Sequence, residues 1–279
     1  MGCQSSEPFA RAYQIGDLTE AIGGPKALAQ PGDFVIENDK VRFAILGPRP
    51  SMGPHTSGAS LVDADLQRND PAYSSGHGND QLAELFPTVN LNVQTATEEH
   101  GEVVIINDGA DGGAAVICTE GPEQSFLFLL DGLWALLGEP TMRLRTDYTL
   151  TPGLGALHIR TTAVFTDSPE DSACDRTWEE IGSVAAATSE DSLPLLEWAL
   201  ESGLAIGDFY LQGGSIDVFT PGVGFDEAGF LDELMTDGVN TFSDPIVVDY
   251  IAGTGDGVSY AIMPDQGRLF VPMFTSSQT

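Results

Sequence analysis

GDFVIENDKVRFAILG, residues 32–47, decides the fold. Phe34, Val35 and Ile36 lead into Asn38-Asp39, and Val41, Phe43 and Ile45 alternate after it. An apolar period of two marks a strand with one buried face. Asn and Asp tolerate the left-handed backbone of a tight turn. The stretch predicts a β-hairpin turning at Asn38-Asp39.

Working outward, further strands are expected at ASLVDAD (59–65), LFPTVNLNVQTAT (85–97), EVVIIND (102–108) and GAAVICT (113–119). Two long alternating runs follow, TMRLRTDYTL (141–150) and ALHIRTTAVFTD (156–167), joined by Thr151-Pro152-Gly153. Later strands are expected at 208–220, 245–253, 258–264 and 268–274. Helix is sparse. SEDSLPLLEWALESGLA (189–205) has helical apolar spacing, with Ser192 as cap, Pro194 in the first turn and Gly203 at the end. A shorter helix is expected at 226–238. No internal repeat of fixed period is visible, which disfavours propellers and solenoids. The fold class is mostly β: an antiparallel β-sandwich with one or two short covering helices. Residues 1–8 read as a flexible tether and 9–279 as one large domain, with 166–177 as a long surface excursion.

Composition bounds the function. Apolar residues make up 42% of the chain, enough for a sizeable core. There are 42 acids against 11 bases, a formal net charge of −31. Such a field repels nucleic acid and anionic membrane surfaces. Two readings of the acidity stand: a solvating surface, or binding of divalent cations, Ca2+ above all, through clustered carboxylates.

No run of 18 apolar residues exists. The longest apolar stretch, SFLFLLDGLWALLG (125–138), is interrupted by Asp131 and glycines. No apolar segment precedes Cys3 in the usual manner of a signal peptide. The opening MGCQSSEP admits three readings. It fits the myristoylation pattern, with Cys3 as a palmitoylation site. Gly-Cys is also what surrounds a bacterial lipoprotein cut site, with Cys3 lipidated. Or Cys3 is an ordinary thiol. The polar QSSEP after it suits a tether, and GRLFVPMFTSSQT ends directly after a β-rich run. A fragment of a lipoprotein is the expectation that accounts for both ends.

Cys118 lies in an expected strand and Cys174 in an expected loop. In an exported protein they are candidates for a disulfide.

Three constellations carry chemistry. In 60–87, Asp63, Asp65, Asp70, His77, Asp80 and Glu84 cluster; Asp63 and Asp65 share one strand face. These are candidate metal or sugar ligands, or else turn formers with a solvent-facing histidine. In NDGADGG (107–113), Asp108 and Asp111 are candidate calcium ligands, although the EF-hand pattern is incomplete; a plain tight turn is the competing reading. In the long strands, Arg143, Arg145 and Asp147 share one face, as do His158 and Arg160. They form either a surface gripping an anionic or polyhydroxylated ligand or an ion-pair ladder on a wet sheet. No nucleophile elbow, HExxH, P-loop or dinucleotide fingerprint is present.

PGDFVIENDKVRFAI, GASLVDADLQR, NDQLAELFP, NDGADGGAAV, IGDFYLQGGSIDVFTPGVGFDE and GDGVSYAIMP together resemble the N-terminal region of large myxobacterial-type surface lipoproteins. The resemblance covers nearly the whole chain. It implies a lipobox cysteine at Cys3, an extracytoplasmic location at the outer membrane or cell surface, and in some members a C-terminal metallohydrolase domain of the PHP superfamily. That domain's metal motifs are not in these residues. The order of elements is also similar to the supersandwich of galactose mutarotase-like domains, an analogy of fold alone.

The leading expectation is a non-catalytic, glycan-binding module of a surface lipoprotein, touching the membrane only through a lipid on Cys3. Two alternatives stay open. One is a glycan-active enzyme using His77 or His158 with carboxylates of 63–84. The other is a calcium-stabilised spacer.

Overall fold

The expected hairpin is the second and third strand of the protein. The computed structural model describes residues 7–51, 57–89, 92–125, 142–165, 173–177, 179–180, 206–212, 215–219, 246–248, 250–255, 258–263 and 269–271. β1 (Ala10–Gln14), β2 (Phe34–Asn38), β3 (Val41–Ile45) and β4 (Leu61–Leu66) pair antiparallel in sequence order. β5 (Leu82–Val89) joins β4 at Leu61↔Leu85 and turns back into β6 (Asn92–Gln94). β7 (Glu102–Asn107), β8 (Ala115–Ser125), β9 (Met142–Leu150) and β10 (Leu157–Phe165) form the opposing wall, connected through β6↔β8. β11 (Ile206–Gln212) lies along β5 and pairs with β12 (Ser215–Phe219). β13 (Ile246–Val248) pairs with β16 (Leu269–Val271), and β14 (Ile251–Gly255) with β15 (Val258–Ile262).

The core sits between the two walls. Ile36, Ile45 and Leu61 from one side meet Val103, Ile117, Tyr148 and Leu150 from the other. Each such fully buried side chain contributes roughly 1.5–3 kcal/mol. The chain is a mostly β protein with a sandwich of antiparallel walls. A second cluster lies on the far side of β1–β4. There Val35, Ala44, Leu46 and Val62 are covered by Ile15, Ala21 and Ile22, with Leu28 and Ala29 packed against them. The first wall is therefore buried on both faces, and all five residues of β2 are buried.

The turn of the founding hairpin differs from expectation. Asn38 ends β2 and the turn is Asp39-Lys40, without left-handed backbone at either position. The Asn38 side-chain oxygen accepts from the N–H groups of Lys40 (2.8 Å) and Val41 (3.0 Å), which closes the turn with ordinary dihedrals. The Asn38 amide donates to the carbonyls of Thr151 and Leu154 at 2.8 and 2.7 Å, and Gly153 N–H donates to Asp39 Oδ1 at 2.8 Å. The β2–β3 turn thus locks onto the β9–β10 turn.

Other boundaries shift. The run expected as one strand at 85–97 is the β5–β6 hairpin, and 245–253 divides into β13 and β14. β8 runs on to Ser125, past the expected end, because Gly121 lets the Thr95 carbonyl come against the strand. A Cβ there would stand 1.8 Å from Thr95 O. β1 is a strand the sequence reading did not include. Cys3, most of 125–138 and the helices expected at 189–205 and 226–238 lie outside the described residues.

Candidate functional site

The acids of 60–87 do come together with their surroundings, but mainly with backbone. Asp63, fully buried, accepts from Leu28 N–H (2.7 Å) and Ala29 N–H (3.3 Å), pinning the covering loop onto β4. Burial is the main force raising its pKa to about 6, with the Asp33 charge adding to it. Asp65 pairs with Arg68 and accepts from Asn79 N–H at 2.8 Å. Asp70 caps the 3-10 turn Pro71–Tyr73 by accepting from Ala72 N–H. Glu84, fully buried, accepts from Ser60 Oγ at 2.6 Å and Ser51 Oγ at 3.2 Å. Asp80, also fully buried, accepts from Ala64 N–H (2.7 Å) and Leu82 N–H (3.1 Å) with one oxygen; its other oxygen has no hydrogen-bond partner. His77 is exposed.

Two further acids belong with this group, and the sequence reading did not single them out. Asp33 holds Arg49 through both oxygens (2.8 and 2.6 Å) and accepts from Gly47 N–H. Glu37, buried in β2, pairs with both Arg11 and Arg42. The Glu37–Arg42 pair had a sequence signal: a two-residue turn at 39–40 sets these residues opposite each other. The Asp33–Arg49 pair had none.

Asp108 and Asp111 sit at the β7–β8 turn. Asp108 accepts from Ala110 N–H and Asp111 from Gly113 N–H, and Asn107 Nδ2 donates to Asp111 at 3.3 Å. The hydrogen bond from Gly113 leads the lowering of the Asp111 pKa. Gly109 has φ +82°, and a Cβ there would meet the Ala10 carbonyl of β1 at 2.1 Å. The side chains of Asn107, Asp108 and Asp111 are thus all engaged in shaping this turn. Among the described residues no three His, Cys, Asp or Glu side chains come together as a metal-ligand set.

On the second wall, Arg143 forks onto Glu120 of β8 (2.5–3.0 Å), and Arg145 pairs with Asp147 (3.1 Å). The expected wet face is dry at this point. Arg145 is 3% exposed and Asp147 6%, because residues 173–177 lie over them. Arg145 donates to the carbonyls of Ala173 and Arg176. A disulfide between Cys118 and Cys174 fastens that segment to β8, and Glu102 accepts from Cys174 N–H. On β10, Arg160 lies opposite Asp147 in register and His158 opposite Thr149; both are exposed.

Most of the arginines are therefore spent on buried acids. Six of the nine, Arg11, Arg42, Arg49, Arg68, Arg143 and Arg145, pair with buried carboxylates. Comparison with protein-family models, with curated proteins and with solved structures finds no match.

Proposed function

We propose that the chain is a non-catalytic β-sandwich module of a surface-anchored bacterial lipoprotein. Cys3 carries the lipid, and the exposed edge of the second wall around His158 and Arg160 contacts envelope glycan. The observation that carries this reading is the Cys118–Cys174 disulfide, since such bonds persist in oxidising, extracytoplasmic compartments. The acids of 63–84 brace loops and strands through backbone and side-chain hydrogen bonds, a use that favours a structural role for them.

Anchoring is tested by expressing the protein from its own gene in a bacterium fed an alkyne fatty acid. Label on the wild type and none on Cys3→Ser is the expected result; equal label on both, or none on either, overturns it. Glycan contact is tested on a polysaccharide array. His158→Ala/Arg160→Ala should lose binding at least tenfold with unchanged melting. Turnover of any bound polysaccharide would instead favour a glycan-active enzyme. A melting midpoint that drops on chelation would favour the calcium-stabilised spacer.

A further inference from the structure

β4 and β5 pair at one position, Leu61↔Leu85, and then part. The opening is filled by two side chains. Asp80 Oδ1 takes the N–H groups of Ala64 and Leu82. The Tyr260 hydroxyl, from β15, donates to the Ala64 carbonyl at 2.9 Å and accepts from Gln81 N–H at 3.0 Å. Both peptide groups of Ala64 are thus served by side chains instead of a strand partner. Tyr260 also packs its ring on the main core. Its hydroxyl ties the β14–β15 hairpin to the first wall across nearly 200 residues of chain, |i−j| = 196.

Asp80 is an unusual residue to place there. It is fully buried, and Oδ2 is without a hydrogen-bond partner. Among the described residues no basic side chain pairs with it; Arg68 is held by Asp65 and Arg49 by Asp33. The charged and titratable groups around it are Asp63 and Asp65 on β4 and Tyr260 on β15. From the covering loop comes Lys26, whose peptide N–H donates to the Asp80 carbonyl while its side chain is exposed. A buried carboxylate with a bare oxygen beside another acid is costly to ionise. Burial, then the Asp63 charge, push Asp80 up to about 8, and burial pushes the Tyr260 phenol upward as well.

We propose that protonated Asp80 is a latch: with its proton it lets Tyr260 fasten the β14–β15 hairpin between β4 and β5, and losing that proton to solvent releases the hairpin. Below the ordinary aspartate range the closed and open forms both carry the proton. Above it the open form loses the proton and the closed form keeps it. The closed form is therefore disfavoured as pH rises, until Asp80 also ionises in place. One proton of linkage makes the opening constant rise roughly tenfold per pH unit between about pH 5 and pH 7.

Hydrogen exchange, read by mass spectrometry from pH 5 to 8.5 and corrected for intrinsic rate, measures this directly over 258–262. The wild type should show the tenfold-per-unit rise, and Asp80→Asn a flat profile. An equal slope in Asp80→Asn, or no slope in the wild type, overturns the latch. Tyr260→Phe should raise exchange of the hairpin at every pH; unchanged exchange also overturns it. Should Asp80→Asn fail to fold, carboxyl carbon NMR of the wild type decides. An aspartate titrating with a midpoint above 6.5 supports the proposal, and the absence of one refutes it.

Discussion

The two walls of the sandwich bury the same kind of group by different means. On β1–β4 the outer face carries Glu37 with two arginines, and Asp33 with Arg49. Its cover is a loop with its own apolar residues, Ile15, Ala21 and Ile22, which pack as a second cluster. On β8–β9 the outer face carries Glu120–Arg143 and Asp147–Arg145, and the described cover over the latter pair is residues 173–177. That short segment brings one buried side chain, Cys174, and is bonded to β8 through it. Apolar packing holds the cover of the first wall, and over Arg145 and Asp147 a covalent bond to β8 fastens the described segment.

The largest expected effect is on the bonded side. Cys118→Ala/Cys174→Ala opens a 56-residue link and should cost about 4 kcal/mol in the chain-entropy model, read by urea unfolding. The far cover should keep its hydrogen-exchange protection in that variant. Loss of protection over 15–30 would break the contrast between the walls. On the apolar side, Glu37→Gln takes from half-buried Arg42 the one carboxylate it pairs with among the described residues and should cost about 3 kcal/mol. A cost near that of an exposed pair would mean that the loop does not keep water from Glu37.

Asp63 gives the apolar cover a pH signature. Its folded pKa of about 6 stands above the ordinary 3.8. The favourable contribution is therefore complete below pH 3.8 and is lost as pH rises through 6. That loss amounts to roughly 3 kcal/mol. Asp63→Asn should flatten this part of the stability profile, and an unaltered profile would remove Asp63 from the account. The smallest effect joins the walls. Tyr148 is fully buried and donates to the Ala59 carbonyl at 2.8 Å, so Tyr148→Phe should cost about 1 kcal/mol. A near-zero value would show that the carbonyl finds another donor.

The walls also differ in how legible they were. β3, β9 and β10 follow from alternation, each with an apolar face and a turn at its end, while β2 and β7 follow from short apolar runs bounded by turn residues. β1 escaped notice: ARAYQ buries two alanines, too small to register as a pattern. The chemistry of 60–87 was visible as a list of acids, but not its use. Asp63 serves residues 28–29, and Asp80 shares Ala64 with a tyrosine nearly 200 positions later. Contacts at such separation leave no local trace in a single sequence. The cover over Arg145 was equally invisible, since 173–177 carries no apolar period that would draw it to a sheet.

The interlocked turns impose an order on synthesis. Asn38 is wholly enclosed, and both its amide hydrogens end on carbonyls at 151 and 154. A chain emerging from a ribosome or a translocon must therefore expose more than a hundred further residues before its founding hairpin can settle. Until then that hairpin offers an unfinished corner to whatever chaperone waits nearby.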